Sequence, residues 1–207
     1  MDEIRIVRLR PDDDRARFEA CGSIHEVEIP EGFLVRMGAR FLTALYCHLS
    51  NSRHTFLFAA LQGETVLGFI VGSKNTRGLY REFLFSNPIT IVFALLPLMF
   101  SPSVWRRVYE TWRYPSKKLE IELPPCEILN FCVVSDSQGK GVGSRLFSAL
   151  CGEFLKQEVS EIRIVTGGGQ ESAHTFYEAK GAKLAGEIIV HEGETSRAYV
   201  YRLSEGE

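Results

Sequence analysis

The sequence predicts an α/β (α+β) domain with a mixed central sheet of about seven strands, flanked by helices. Three observations support this class. Strand-like and helix-like segments alternate along the chain, a strand hairpin is predicted near each end, and three closely spaced glycines precede an apolar helical pattern in the middle. The 207 residues suffice for one substantial core, so we expect a single domain over 1–207.

The predicted strands share alternating or β-branched apolar residues. They are 4–9, 55–61, 65–74, 126–135, 161–167, 182–192 and 195–203. Only a short turn containing glycine separates the second strand from the third, which predicts a hairpin. The last two strands are predicted to form a second hairpin.

The predicted helices show apolar residues at helical spacing or clear end signals. They cover part of 12–23, then 33–50, about 141–157 and 171–180. Residues 28–32 predict a turn. Gly181 directly follows the last of these helices, where a residue in the left-handed region commonly ends a helix.

A helical insertion is predicted at about 79–125, between the third and fourth strands. Its apolar run, 89–101, contains Pro97 and is shorter than the about 20 residues that a spanning helix needs. One interpretation is a pair of extra helices that pack on the sheet and cover an acceptor pocket. The other is peripheral membrane contact through 88–114, with basic side chains near lipid headgroups. Those basic residues are Arg106, Arg107, Lys117 and Lys118.

Composition excludes several classes of function. The net charge of −2 lacks the basic footprint of a nucleic-acid-binding domain, so we expect no nucleic-acid partner. The five cysteines are odd in number and form no CxxC pair, and no secretory segment opens the chain, so we expect a cytoplasmic protein with buried thiols. The five histidines show no ligand spacing, and we expect no metal.

The glycines at 139, 141 and 143 can be compared with the glycine patterns of three known anion-binding loops. A P-loop fails because Val134 stands where its first glycine belongs, and a dinucleotide fingerprint is weak because Ser144 replaces its third glycine. The third pattern is Gln-x-x-Gly-x-Gly, beginning at Gln138, in which bare amides at a helix start hold an anion. Lys140 and Arg145 would add positive charge. The alternative is a tight turn that binds nothing, although each glycine costs about 1 kcal/mol within a helix.

Two segments of the chain resemble motifs of the GNAT superfamily of acyl-CoA-dependent N-acyltransferases. The first is "ILNFCVVSDSQGKGVGSRLFSAL", and the second is "ESAHTFYEAKGAKLAGE". The second is similar to the family's Ala-x-x-x-Tyr-Glu-x-x-Gly helix, with matching residues at Ala173, Tyr177, Glu178 and Gly181. The two motifs stand in the family's order, with a predicted strand between them.

The resemblance implies a GNAT-like, mostly antiparallel sheet with one parallel pair of strands, 126–134 and 161–166. These two strands would splay apart around acetyl-CoA, the cosubstrate. The pantetheine arm would pair with the first strand, and the pyrophosphate would lie on the glycine loop. The implied binding residues are Phe131, Cys132, Val133, Gln138, Gly139, Lys140, Gly141, Val142, Gly143, Ser144, Gln170, Ala173 and Phe176. A backbone N–H near Cys132 or Val133 would stabilise the oxyanion.

The resemblance also implies catalytic roles for two side chains. Tyr177 would protonate the departing thiolate, unless it is only a core tyrosine. Glu127 would remove the amine's proton, and burial would raise its pKa toward a useful range. The alternative for Glu127 is a structural ion pair, and Glu122 is the reserve base. Covalent catalysis by Cys126 or Cys132 is disfavoured, because a thiol buried in an apolar strand is a poor nucleophile.

The acceptor is predicted to be a primary amine on a small molecule, such as an amino sugar. The segments expected to form its pocket, about 24–40 and 79–125, are apolar and aromatic, without the acidic cleft that polycations require. Aromatic rings in the second segment would stack on the acceptor or pack against one another. They are Trp105, Tyr109, Trp112 and Tyr114. Two alternative functions stay open: a protein N-acetyltransferase and a non-catalytic acyl-CoA-binding regulatory module. A homodimer stays open as the oligomeric state.

Overall fold

The computed structural model describes residues 3–30, 32–86, 122–191 and 194–204. Most of the predicted insertion therefore lies outside the described residues, including the apolar run 89–101, the proposed membrane contact through 88–114 and the basic and aromatic residues named there. Within the described ranges, no helix is long and apolar enough to cross a bilayer.

Seven strands form one mixed sheet, which confirms the predicted fold class. Their order across the sheet is β1-β2-β3-β4-β5-β7-β6, and β4–β5 is parallel whereas the other neighbours are antiparallel. The strands are β1 Ile4–Arg8, β2 Thr55–Gln62, β3 Thr65–Ser73, β4 Glu127–Val133, β5 Glu161–Gly167, β6 Lys183–His191 and β7 Glu194–Arg202. Both predicted hairpins are present.

Helices flank this sheet and follow the predicted order. In the described part of the chain they are α1 Arg15–Glu28, α2 Ala39–Asn51, α3 Thr76–Ser86, α4 Val142–Lys156 and α5 Glu171–Ala179. Helix α3 lies between β3 and β4 and begins the predicted insertion. The glycine after α5, Gly181, has φ +90°, as its predicted role at a helix end requires.

Two helix boundaries differ from the prediction. Helix α1 begins after Asp14, whose side chain accepts from the Ala16 N–H. It continues past the predicted end at 23 to Glu28, the first residue of the predicted turn, because Ile24 and His25 are buried. The predicted helix over 33–50 is divided, because Gly38 has φ +85° and cannot continue a right-handed helix. Residues Phe33–Met37 form a separate 3₁₀ turn.

The sheet separates two hydrophobic clusters. Alternate residues of β3 point to opposite faces: Phe69 and Val71 pack with α1 and α2, whereas Ile70 packs with α4. The first cluster includes the fully buried Phe18 and Tyr46, and the second is centred on the α4 side chains. Strand β4 contributes to both clusters and therefore lies between the two layers.

The parallel pair in the middle of the sheet splays apart, as predicted. Its ladder has only two steps, Glu127 with Arg163 and Ile128 with Ile164. Beyond them, β4 stays paired with β3 as far as Val133, and β5 stays paired with β7 as far as Gly167. Each strand thus keeps its outer neighbour while the inner ladder ends, which opens a gap in the sheet.

Candidate active site

One edge of strand β4 faces this gap and is not covered by a neighbouring strand there. A register shift near Leu129 changes which residues face β3, and the Val134 N–H donates to the Leu67 carbonyl at 2.9 Å. Because hydrogen-bonding direction alternates along a strand, the Cys132 backbone faces β3, whereas the N–H and C=O of Phe131 and Val133 face the gap. A ligand with amide groups could pair with this open edge as a missing strand.

The glycine loop lies at one end of the gap and leads into α4. Gly139 and Gly141 have φ +71° and +80°, a region that favours glycine, and a Cβ at either position would meet nothing within 4 Å. The Arg145 N–H donates to the Gly141 carbonyl at 3.1 Å as the helix begins. The amides of Val142, Gly143 and Ser144 precede this bond, so no helical carbonyl lies behind them, and the positive end of the helix dipole is available to an anion.

Helix α5 forms the opposite wall with two aromatic rings. Phe176 lies edge-to-face against Phe131, with ring centroids 5.4 Å apart, and Tyr177 is 6.3 Å from the same ring. Tyr177 is only 4% exposed although it lines the gap. Its burial raises the pKa of its phenol above the ordinary value, so the hydroxyl stays protonated at neutral pH.

These elements enclose an open cleft of about 1000 Å³, large enough for an extended cosubstrate. The sequence-predicted residues that line it come from β4, the glycine loop and α5 with its preceding turn. They are Phe131, Cys132, Val133, Gln138, Gly139, Gly141, Gly143, Ser144, Gln170, Ala173, Phe176 and Tyr177. The Gln170 side chain is held by the Thr166 hydroxyl at 2.6 Å. Lys140 lies exposed beside the cleft, whereas Val142 is buried beneath it.

Glu127 lies at the closed end of the β4–β5 pair and does not line the cleft. Its carboxylate accepts from the Arg163 Nε at 2.6 Å and from the Thr76 hydroxyl. The structure therefore contains the ion pair that sequence reasoning kept as the alternative for this residue. The base role of Glu127 stays a prediction, and the reserve residue, Glu122, is exposed.

Sequence reasoning missed the two acidic residues that line the cleft, Glu171 and Glu28. Glu28 lies at the end of α1. It accepts hydrogen bonds from the Ser135 backbone and hydroxyl, across 107 residues of sequence. Helical spacing could assign Glu28 only to a helix surface or a turn. No local signal relates it to β4, because the contact depends on how α1 packs against the sheet.

The thiols offer no nucleophile at this site. Cys132 is buried in the cleft wall, and burial raises the pKa of its thiol to about 12, so the reactive thiolate is scarce at neutral pH. All five cysteines are free. Among the described residues, no group of three or more His, Cys, Asp or Glu side chains could hold a metal ion.

The family model described as "Acetyltransferase (GNAT) family" matches residues 18–182. The fold is similar to Ard1 from Thermoplasma volcanium (16% identity, 98% of this chain and 99% of that chain, TM-score 0.61). It is also similar to an N-acetyltransferase from Staphylococcus aureus Mu50 (13% identity, 98% of this chain and 100% of that chain, TM-score 0.62). A third similar structure is Arabidopsis thaliana NAA60 in complex with acetyl-CoA (17% identity, 97% of this chain and 99% of that chain, TM-score 0.56). No curated protein matches the sequence.

Proposed function

The chain belongs to the acetyltransferase (GNAT) family, and from this premise we propose that it transfers an acetyl group from acetyl-CoA to a primary amine of a small molecule. The amine would attack the thioester directly, without an acyl-enzyme. The observation that carries the proposal is that one cleft contains both the open edge of β4 and the backbone amides of residues 139–144, which we call the glycine cradle. Acetyl-CoA is the cosubstrate, and its two hydrogen-bonding regions, the pantetheine amides and the diphosphate, match these two features.

We assign binding of the pantetheine arm to the Phe131 backbone and the Val133 N–H, because the Val133 carbonyl already accepts from the Gln138 side chain. The amides of the arm would continue the sheet between β4 and β5, with Phe176 packing alongside. The diphosphate would lie on the amides that begin α4, where missing Cβ atoms leave space for close approach. Lys140 and Arg145 would add charge from the rim. An N–H of the same open edge would stabilise the oxyanion that forms when the amine attacks.

The reaction needs a proton acceptor, because a lysine-like amine has a pKa near 10.4 and is mostly protonated at neutral pH. We retain Glu127 for this role. Its carboxylate lies at the base of the cleft strand, where water could connect it to the acceptor. Its ion pair with Arg163 fixes the orientation of the carboxylate at this position.

We assign Tyr177 as the proton donor to the departing thiolate. Burial raises the pKa of the phenol, and this keeps the proton in place until the sulfur leaves. The ring is positioned by Phe131 and Phe176, which contact it from β4 and from the preceding position of α5. The hydroxyl is thereby kept at the wall of the cleft beside the strand that would carry the thioester.

The acceptor class is argued from charge. The described residues lining the cleft include two acidic side chains, Glu28 and Glu171, of which Glu28 is already engaged by Ser135. That arrangement suits a single amine better than a polycation or a basic peptide. An amino sugar is therefore our leading acceptor. A cytoplasmic location and a single domain over 1–207 stay predictions.

The proposal is tested by screening amines with acetyl-CoA and scoring both free thiol release and the mass gain of the product. We expect small primary amines to gain one acetyl group, and peptides with free amino termini to remain largely unmodified. Modification of peptides alone would favour a protein acetyltransferase. Binding of acetyl-CoA without turnover of any amine would favour a non-catalytic module.

A further inference from the structure

Glu28 connects the last turn of α1 to the loop that follows β4. One oxygen of its carboxylate accepts from the Ser135 N–H at 3.0 Å, and the Ser135 hydroxyl lies 3.1 Å from both carboxylate oxygens. The Gln138 amide nitrogen is 3.4 Å from the second oxygen. Ser135 and Gln138 lie in the segment that leads from β4 to Gly139. The contacts of Glu28 therefore fix the backbone just before the glycine cradle.

The position of Glu28 is unfavourable for α1 itself. The carboxyl end of a helix carries partial negative charge, so an acidic side chain there is destabilising. The hydrogen bonds from Ser135 offset this cost, and they form only because α1 lies against the end of β4. Glu28 therefore stabilises the loop after β4 more than it stabilises its own helix.

Gln138 extends the contact to the open edge of β4. Its amide nitrogen donates to the Val133 carbonyl at 2.9 Å, and this carbonyl faces the gap. The same amide group thus connects Glu28 with the strand that would pair with the pantetheine arm. Two ligand-binding features, the open edge and the cradle, share one anchor on α1.

We propose that Glu28 is a positioning residue for acetyl-CoA, acting through Ser135 and Gln138. It fixes the start of the cradle before the ligand arrives, so that less ordering of the loop is needed on binding. This inference rests on the proposed function. It predicts that Glu28 affects the affinity for acetyl-CoA and not the chemical step.

The test compares Glu28→Ala, Glu28→Gln and the control Glu26→Ala in the full chain. Glu26 lies exposed on the same helical turn and does not line the cleft. We expect Glu28→Ala to raise the Kd of acetyl-CoA about tenfold by calorimetry, the usual scale of a lost hydrogen bond to a charged group. Its kcat at saturating acetyl-CoA should stay within twofold of wild type. Glu28→Gln, which keeps an acceptor oxygen, should recover most of the affinity, and Glu26→Ala should bind normally.

A second variant separates anchoring from general destabilisation. If Glu28 acts through Ser135, the Glu28→Ala substitution should raise the Kd of acetyl-CoA less in a Ser135→Ala background than in the wild-type background. The inference would be overturned if the fold-changes in Kd of the two single variants multiplied fully in the double variant. It would also be overturned if Glu28→Gln bound acetyl-CoA as weakly as Glu28→Ala, or if Glu28→Ala bound it as tightly as the wild type. Failure of the wild type itself to bind acetyl-CoA would instead refute the proposed function.

Discussion

The two ends of the β4–β5 pair differ although they belong to the same two strands. At the closed end, two ladder steps and the Glu127–Arg163 ion pair join the strands directly. At the open end, Phe131 and Val133 turn their backbone groups toward a gap that Val165 and Gly167 face from β5. The Val133 carbonyl is satisfied there by a side chain, that of Gln138.

This difference separates a structural region from a binding region. Paired backbone and a satisfied ion pair need nothing further, whereas open strand edges inside a sheet need a partner with amide groups. The closed end thus fixes the angle between the strands, and the open end exposes the surface that a cosubstrate can use. The following variants test that division.

The largest effect is expected at the open end, from Tyr177→Phe. Removing a proton donor should lower kcat about a thousandfold, because general acid catalysis typically contributes two to four orders of magnitude. The Kd of acetyl-CoA and the melting temperature should change little, since the ring remains. The control is Tyr201→Phe, a buried tyrosine outside the cleft lining, which packs on Phe147 and should retain wild-type kcat. A Tyr177→Phe enzyme with normal kcat would remove this residue from the mechanism.

The next effect distinguishes chemistry from structure at the closed end. Glu127→Gln should lower kcat about a hundredfold if the carboxylate accepts the amine's proton. Arg163→Gln disrupts the same ion pair but keeps the carboxylate, so it should lower kcat less than tenfold while reducing the melting temperature similarly. Both variants are compared by steady-state kinetics and thermal unfolding. Equal kcat losses in the two would make Glu127 purely structural.

A smaller effect is expected from adding a methyl group to the cradle. Gly141 and Gly181 both have positive φ and open space where a Cβ would stand, but only Gly141 lines the cleft. Each substitution by alanine should destabilise the fold by roughly 1–2 kcal/mol, the cost of a left-handed residue. Only Gly141→Ala should also weaken acetyl-CoA binding, by about tenfold, because it adds a methyl group to the lining of the cleft. Calorimetry on both variants checks this, and equal affinities would contradict the cradle assignment.

The smallest effect concerns pH. Burial raises the pKa of Tyr177 above its usual value near 10, so the protonated donor persists to higher pH than a free phenol would allow. We expect no alkaline fall in kcat attributable to Tyr177 between pH 7 and about pH 9.5. The profiles of wild type and Tyr177→Phe should therefore run parallel over this interval. A fall near pH 8 seen only in the wild type would show that the phenol ionises early.

Local patterns predicted most of this architecture. Alternation and turn glycines located the strands, and the paired motifs identified the family and the splayed pair of parallel strands. The division of the helix over 33–50 was missed because a single glycine, Gly38, is tolerated within many helices. Its left-handed backbone becomes evident only in three dimensions.

The site was less predictable where contacts are distant in sequence. The bond between Glu28 and Ser135 depends on how α1 packs against β4, and helical periodicity contains no such information. The pairing of Glu127 with Arg163 depends on the register of two parallel strands. Strand alternation selects Phe131 and Val133 over Cys132 for the gap only once the register shift near Leu129 is known.

The central claim is that the cosubstrate pairs with the open edge of β4, and amide hydrogen exchange by NMR tests it most directly. On addition of acetyl-CoA, we predict that exchange at Phe131 and Val133 slows, while Cys132 and Val134, which already face β3, change little. Unchanged exchange at Phe131 and Val133 when the protein is saturated with acetyl-CoA would contradict the account.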